Sequence, residues 1–260
     1  LHGTGGSVGE TFGPLLTGSL LAVITWRFIL QGSFIPALLF GIIVWILLKP
    51  IPTKGTPPAS IVSYLTSAWS LLRNRKLLFV LLMTGSHQAS QSTVFTFLPI
   101  YLREDLGVST IQLGFYLFLA QIAGIGSQPL MGFLSDRFSR KIVLVPALMA
   151  LSASILGLSL VPPGWPFVLM MITAGAFLFP MTALLIATAM DLVGQSVQAT
   201  TVSLVYGVGI VVSGFAPAVA GRLADHYTLE STFVFSSAIV LAGAILGLLT
   251  KWSPSREIPS

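Results

Sequence analysis

Apolar residues are grouped into eight long runs, each long enough to form a helix that crosses a membrane. Such a helix needs about 20 mostly apolar residues. Runs such as Ile35–Leu48 do not alternate apolar and polar positions, which excludes the strands of a transmembrane barrel. The pattern predicts an all-α, polytopic membrane protein with eight transmembrane helices, at residues 5–24, 27–48, 77–101, 110–133, 141–161, 165–190, 198–221 and 230–250.

The composition indicates that lipid rather than water surrounds most of this chain. Hydrophobic residues make up 54% of the 260 residues and charged residues only 8%. A soluble domain needs more charge to cover its surface. The net charge is +5, but the basic residues sit between the apolar runs, so topology explains them better than a nucleic-acid partner does. The absence of Cys excludes disulfides and thiolate metal sites.

The basic residues are distributed unequally between the two sides of the predicted membrane. By the positive-inside rule, the side richer in Lys and Arg is cytoplasmic, and eight spans place both ends of the chain there. The rich side holds Lys49, Lys54, Arg73, Arg75, Lys76, Arg137, Arg140, Lys141, Lys251 and Arg256, against Arg27, Arg103 and Arg222 on the other. Asp225, His226 and Glu230 are expected in a solvated outer loop. The 190–198 connection fits this scheme least well, since it carries Asp191 and no basic residue.

The longest connection, residues 49–76, divides the chain. Its first part is rich in proline and cannot be helical. Its second part could form an amphipathic helix on the inner membrane surface, with Tyr64 and Trp69 at the level of the headgroups, or it could be a plain tether. The predicted organisation is therefore two helices in 1–48, a central cytoplasmic loop in 49–76, a six-helix bundle in 77–252 and a cytoplasmic tail in 253–260.

An internal repeat relates the first two predicted helices to the last two. A shift of 203 positions gives ten identities without a gap, among them Pro14 with Pro217 and Gly18 with Gly221. The repeat predicts a parent protein with two six-helix halves, of which the first four helices are absent here. The start at Leu1 rather than Met supports the same expectation of a truncated chain. Parallel repeats of this kind occur in one class of transporters.

The stretch GFLSDRFSRK concentrates charge between the second and third helices of the six-helix unit. It resembles the inner-loop signature of the major facilitator superfamily in sequence, position and sidedness. The resemblance implies that Asp136 pairs with a basic residue of the loop and caps a helix of the opposite half, as a latch of one conformation. The alternative is an anchoring loop without a gating role. The residues concerned are Gly132, Ser135, Asp136, Arg137, Arg140 and Lys141.

A second stretch, GETFGPLLTG, resembles the fifth-helix signature of antiporters in the same family. It departs from that signature at Thr17, where glycine is expected. Gly9, Gly13 and Gly18 would form a groove for a neighbouring helix, and Pro14 would permit a bend. Packing of small residues without any antiport role is the simpler interpretation.

Polar residues inside the predicted spans are candidates for a substrate cavity, because they are costly in lipid. Thr84, His87, Gln88 and Gln91 share one stripe of the third span, and the resemblance places that helix beside the central cavity. Further candidates for the cavity are Gln121 and Tyr206. His87 and Glu10 are candidate proton carriers; the alternatives are a neutral histidine bonded between helices and a solvated carboxylate.

The resemblance implies a secondary active transporter that moves a small organic solute by alternating access, with proton-coupled efflux as the leading direction. A proton-coupled importer of sugars or organic ions and a non-transporting receptor on the same fold are the alternatives. No enzyme signature is present, and no cofactor or metal site is expected. The expected partners are a small-molecule substrate, protons and the lipid bilayer. The expected state is a monomeric integral protein of the cell (inner) membrane.

Overall fold

The computed structural model describes residues 2–49 and 61–250 and is all-helical over this part of the chain. The side chains of residues 2–11, 61–65 and 196 lie outside the description. The described helices are α1 (His2–Leu21), α2 (Trp26–Leu48), α3 (Ile61–Leu72), α4 (Arg75–Glu104), α5 (Thr110–Phe138), α6 (Arg140–Leu160), α7 (Trp165–Asp191), α8 (Gln198–His226) and α9 (Glu230–Leu249), with a 3₁₀ turn at Gln195–Val197.

Six of these helices, α2 and α5 to α9, are long and apolar enough to cross a membrane by length and composition. Over the described residues, this supports the prediction of an all-helical integral membrane protein. Helix α4 has 30 residues but is less apolar, because polar side chains occupy its middle, from Thr84 to Gln91. The helix that deviates most from a lipid-like composition is therefore the helix expected to border a cavity. The count of eight transmembrane helices remains a prediction.

The six helices α4 to α9 form a bundle with a common apolar core. Tyr101 of α4 packs edge-on against Phe233 of α9, with 5.3 Å between ring centroids. Ser152 of α6 and Ser237 of α9 each donate a hydrogen bond to the other's backbone carbonyl, at 3.0 and 2.9 Å. Such reciprocal hydroxyl contacts join helices where no hydrophobic driving force acts between them.

Several helices extend further into their charged flanking residues than the sequence predicted. Helix α8 continues to His226, so Asp225 and His226 lie in its last turn, and Glu230 begins α9 rather than lying in a loop. Helix α4 begins at Arg75, before the predicted start at residue 77. The apolar pattern stops where the bilayer would stop, but a helix can continue into water because its backbone hydrogen bonds are internal.

The second part of the long connection is helical, as the sequence allowed. Helix α3 buries Leu71, whereas Trp69 is 62% exposed. Asn74 begins α4 by accepting hydrogen bonds from the backbone N–H groups of Lys76 and Leu77, an N-cap that separates α3 from α4. The proline-rich part, residues 50–60, lies outside the described residues.

Candidate functional site

A cavity of about 720 Å³ lies near the middle of the bundle, chiefly between α4, α5 and α7. Gln88 and Gln91 of α4 and Gln121 of α5 line it with amides. Phe95 and Phe179 add aromatic faces. No charged side chain lines this cavity in the part of the chain that the structure describes. The described wall therefore offers hydrogen-bond donors and acceptors beside apolar surface, as small-molecule sites commonly do.

Three glycines leave room for neighbouring groups around the cavity. A Cβ atom on Gly175 of α7 would collide with the carbonyl of Ala120 on α5. On Gly209 of α8 it would lie 3.0 Å from the side chain of Gln88. The absence of a side chain at Gly124 likewise leaves room for the Phe179 ring. The positions of two lining residues thus depend on glycines of neighbouring helices.

The remaining candidates of the predicted cavity lie elsewhere. His87 is fully buried, and its Nε2 is 2.9 Å from the carbonyl oxygen of Leu178 on α7. A hydrogen bond to a carbonyl requires that Nε2 carry the proton, while Nδ1 has no partner among the described residues. Thr84 donates to Val80 of its own helix, and Tyr206 is 48% exposed on α8. The side chain of Glu10 lies outside the described residues.

The charged stretch forms a compact cluster around one guanidinium. Arg140 Nη1 lies 2.8 Å from a carboxylate oxygen of Asp136, and Arg140 Nε lies 2.9 Å from one of Asp191. Nη1 also donates to the hydroxyl of buried Ser135, at 3.0 Å. Asp136 thus pairs with a basic residue of its own loop. Both carboxylates lie at helix C-termini, where the helix dipole disfavours negative charge and a nearby cation offsets it.

Asp191 was not among the residues that the sequence singled out for this cluster. The sequence marked it only as an acid in the 190–198 connection. The predicted topology places this connection on the same basic side as the charged stretch. Pairing it with Arg140 requires knowing that α5 and α7 end side by side, which a single sequence does not give.

The next basic residue joins the cluster to a third helix. Lys141 Nζ donates to the carbonyl oxygens of Leu248 and Thr250, each at 2.8 Å. These carbonyls lie at the C-terminal end of α9, where the last turn has no intrahelical donors. A lysine there satisfies the carbonyls and complements the dipole. The start of α6 therefore holds together the C-terminal ends of α5, α7 and α9.

The link between α5 and α6 is a single strained residue. Ser139 has φ 119° and ψ 151°, a conformation that side-chain-bearing residues rarely adopt. Its side chain makes no capping hydrogen bond to α6. Asp136 and Arg140, four residues apart, form their ion pair across this link between two helices.

The fifth-helix-like stretch packs against α5. A Cβ atom on Gly18 would lie 2.8 Å from the carbonyl oxygen of Thr110 and 3.0 Å from the Cα of Gly114. One on Gly114 would lie 2.6 Å from the carbonyl oxygen of Pro14. Gly13, in contrast, faces open space. Pro14 and Gly18 thus lie at a close crossing of α1 and α5. The side-chain surroundings of Gly9 lie outside the description.

The other end of the described bundle carries more acids than bases, with Glu104, Asp105, Asp225 and Glu230 against Arg103 and Arg222. Partial burial, together with the carboxylates of Glu230 and Glu104, raises the pKa of Asp105 above its ordinary value. Glu104 ends α4, Asp105 follows it, and Glu230 begins α9. The two ends of the described bundle therefore differ in the sign of their charge, which agrees with the asymmetry of the sequence.

The chain belongs to the Major Facilitator Superfamily, whose sequence profile matches residues 1–213 and 90–260. It is 26% identical over 258 residues to the fosmidomycin resistance protein of Escherichia coli (strain K12), covering 97% of this chain and 61% of that protein. It is 28% identical over 166 residues to the multi-drug resistance efflux pump PmrA of Streptococcus pneumoniae (TIGR4), covering 61% of this chain and 40% of the pump.

The fold is similar to that of the Escherichia coli fucose:proton symporter FucP, with a TM-score of 0.68 and 15% identity over 86% of this chain and 56% of that structure. The chain thus spans about three fifths of the length of the fosmidomycin resistance protein and of FucP. Because the proteins it matches are transporters, the expectation that the chain is not an enzyme is confirmed.

Proposed function

We propose that this chain is part of a secondary active transporter that moves a small organic solute by alternating access, in the direction of proton-coupled efflux. The observation that carries the proposal is the amide-lined cavity at mid-length of α4 and α5. In this proposal the cavity is the second bundle's share of the substrate site. Gln88, Gln91 and Gln121 hydrogen-bond the solute, and Phe95 and Phe179 contact its apolar part.

The efflux direction draws support from two relatives, whose names describe resistance to fosmidomycin and multi-drug efflux. Proton coupling draws support from the fold, since a neighbour of this fold is a fucose:proton symporter. Of the two candidate proton carriers, Glu10 is the one we propose to test first. The buried bond from His87 to Leu178 favours a role for His87 in joining α4 to α7.

The whole transporter contains two six-helix bundles in this proposal. Helices α1 and α2 are the last two of the first bundle, and α4 to α9 are the complete second bundle. Eight helices of the twelve-helix fold would then lie in this chain, with both of its ends on the cytoplasmic side of the cell (inner) membrane and the transporter acting as a monomer. The support is the internal repeat and the share of FucP that the chain covers.

The cluster around Arg140 acts in the proposal as a latch at the cytoplasmic end. Asp136 pairs with Arg140 in the described arrangement. In one conformation it would also cap a helix of the opposite bundle, and this contact would break in the other. Replacing Asp136 with Asn removes its charge at nearly constant volume. Turnover should then fall more than substrate affinity does, and wild-type turnover would contradict the latch.

The decisive experiment compares this chain with its complete gene product. The DNA upstream of the codon for Leu1 should encode four further apolar helices and a first copy of the charged turn. The complete product in inverted vesicles should accumulate fosmidomycin or a cationic dye when a proton gradient is imposed. The 260-residue chain alone should not, because its first bundle has only two helices; flux by it would overturn the two-bundle arrangement.

The role of the cavity is tested in the complete product by replacing Gln121 or Gln91 with Leu. Each change removes a hydrogen-bonding amide from the wall and should raise KM at least about threefold, the equivalent of one neutral hydrogen bond. Gln128 provides the matched control, since it lies two turns further along α5 and does not line the cavity. Equal effects of Gln121→Leu and Gln128→Leu would refute the cavity assignment.

A non-transporting receptor on the same fold is the remaining alternative. It would bind solute in the same cavity, so binding alone does not separate the two. Solute binding by the complete product, together with an absence of flux under both signs of the proton gradient, would favour the receptor. Flux only into the cell would instead favour the proton-coupled importer.

A further inference from the structure

Helix α7 contains a proline, and a neighbouring helix supplies the hydrogen-bond donor that the proline lacks. Pro180 has no N–H group, so the carbonyl of Ala176, four residues earlier, loses its usual donor. The hydroxyl of Ser127 on α5 lies 2.6 Å from that carbonyl oxygen. The same hydroxyl lies 2.8 Å from the carbonyl oxygen of Gly124 in its own helix, so the shorter contact is the one between helices.

Helix α8 repeats this arrangement with different partners. Pro217 removes the donor for the carbonyl of Ser213, again four residues earlier. The hydroxyl of Ser92 on α4 donates to that carbonyl oxygen at 2.7 Å. Helices in lipid tolerate proline when neighbouring side chains satisfy the freed carbonyl, since no water is available to do so.

The arrangement is selective among the prolines of the bundle. Pro99, Pro129 and Pro146 also lie inside helices. No side-chain hydrogen bond to the carbonyl four residues before any of these three occurs in the described part of the chain. Among these five prolines, those of α7 and α8 are therefore the two whose freed carbonyl accepts a hydrogen bond from a serine of a neighbouring helix.

We propose that Ser92 and Ser127 are positioning residues that fasten the proline-containing helices α8 and α7 to α4 and α5. Ser92 and Ser213 themselves line the cavity, so the α4–α8 bond lies in its wall. The α5–α7 bond is made three residues before Phe179, another lining residue. Without these bonds, each freed carbonyl stays unsatisfied in an apolar surrounding, and the segment around the proline is no longer held against the neighbouring helix.

The test is a double-mutant cycle on the reconstituted chain, read as the thermal midpoint of unfolding. Ser92→Ala should lower the midpoint by about 1–3 °C in the wild-type background, the range for one interhelix hydrogen bond in a membrane protein of this size. In the Pro217→Ala background the same change should have no effect. The alanine in that background supplies an N–H group that can bond to the Ser213 carbonyl, so the hydroxyl of Ser92 is no longer needed. Equal losses in both backgrounds would overturn the proposal.

The second cycle, Ser127→Ala with Pro180→Ala, should behave in the same way. The mismatched pair, Ser92→Ala with Pro180→Ala, should be additive because the two sites share no carbonyl. Coupling of equal size in matched and mismatched pairs would mean general destabilisation and would count against the proposal. A threonine in place of Ser92 keeps a hydroxyl, so Ser92→Thr should restore most of the midpoint.

A second measurement covers the case in which a proline variant does not fold. The chain has no cysteine, so spin labels can be placed at Ser203→Cys and Arg222→Cys, two exposed positions on either side of Pro217. They would be about 28 Å apart along a helix with a rise of 1.5 Å per residue. Ser92→Ala should broaden or shift the measured distance distribution. Ser90→Ala should not; this control removes a buried hydroxyl of the same helix that has no hydrogen-bond partner among the described residues. An unchanged distribution in Ser92→Ala would refute fastening at α8.

Discussion

Arg140 Nε lies 2.9 Å from a carboxylate oxygen of Asp191, a residue 51 positions later in the chain. The same guanidinium holds Asp136 at 2.8 Å. One cation therefore serves two acids at the C-terminal ends of α5 and α7, and its planar fork with several N–H donors makes this possible. Lysine at this position could not hold both carboxylates in the same geometry.

Removing this guanidinium should destabilise the bundle in a salt-dependent way. The side chain of Arg140 is 26% exposed, whereas those of Asp136 and Asp191 are 69% and 47% exposed, so solvent screens the pairs substantially. Arg140→Gln should cost about 1 kcal/mol at low salt, and less at about 1 M salt, measured as the thermal midpoint in detergent.

Arg137 provides the control for the Arg140 experiment. It lies in the same charged stretch and is exposed, and its guanidinium lies 5.7 Å from the centroid of the Phe138 ring. Within the described residues it forms no ion pair. Arg137→Gln should leave the midpoint nearly unchanged at both salt concentrations. A cost equal to that of Arg140→Gln would show that local basic charge, rather than the bridge between helices, stabilises this end.

The strained link between α5 and α6 predicts a stabilising substitution. Ser139 has φ 119° and ψ 151°, a region that glycine enters without steric cost. Its side chain caps no helix, so little is lost with it. Ser139→Gly should therefore stabilise the bundle by about 1 kcal/mol and raise the thermal midpoint by about 2–4 °C. Ser139→Val should lower it, and a lower midpoint for Ser139→Gly would contradict the strain.

The crossing of α1 and α5 predicts opposite outcomes for two glycines of one helix. Gly18→Ala places a methyl group within 3.0 Å of the α5 backbone and should cost about 1–3 kcal/mol, read as a lower thermal midpoint. Gly13→Ala meets open space and should be neutral or slightly stabilising.

Gly114→Ala places a methyl group at the same crossing, but on α5 rather than α1. Combined with Gly18→Ala, it should cost less than the sum of the two single changes, because either methyl group already separates the helices. Equal midpoints for Gly13→Ala and Gly18→Ala would show that α1 does not pack on α5 through Gly18.

The apolar pattern was enough to predict most of the fold. The run 165–190 corresponds to α7 (Trp165–Asp191), because lipid permits few polar residues within a span. Predicted ends were least accurate where polar residues extend a helix beyond the apolar layer, as at His226. The one-residue link at Ser139 was not predictable from the pattern, since polarity says nothing about a positive φ.

The site was predictable only in part, for a geometric reason. Gln88 and Gln91 line the cavity, whereas His87 on the same predicted stripe turns to α7. Adjacent helical residues point about 100° apart. Sequence spacing alone therefore cannot tell which residues at the edge of a polar stripe face the cavity and which face a neighbouring helix. The rotation of α8, which exposes Tyr206, depends on packing that no single sequence encodes locally. The partnership of Ser92 with α8 likewise requires the tertiary structure.

The sequence left two interpretations of the central connection, a helix on the membrane surface and a plain tether in water. The surroundings of helix α3 favour the first. Leu71 is buried against the bundle, whereas Trp69 on the other face is 62% exposed and lies 5.9 Å from the Arg73 guanidinium. An exposed tryptophan beside an arginine suits the headgroup region, where an amphipathic ring and a cation are both favoured. We therefore expect Trp69 to contact lipid headgroups.

Fluorescence of Trp69 in liposomes tests this expectation. The chain has five tryptophans, so the signal of Trp69 is taken as the difference between the wild type and Trp69→Phe. Lipids brominated near the headgroup should quench this difference signal more than lipids brominated near the chain ends, and aqueous iodide should quench it weakly. A tether in water would give the reverse, with strong quenching by iodide and none by either brominated lipid. Because Arg73 brings positive charge to the same turn, including anionic lipid should strengthen the bromine quenching and high salt should weaken it.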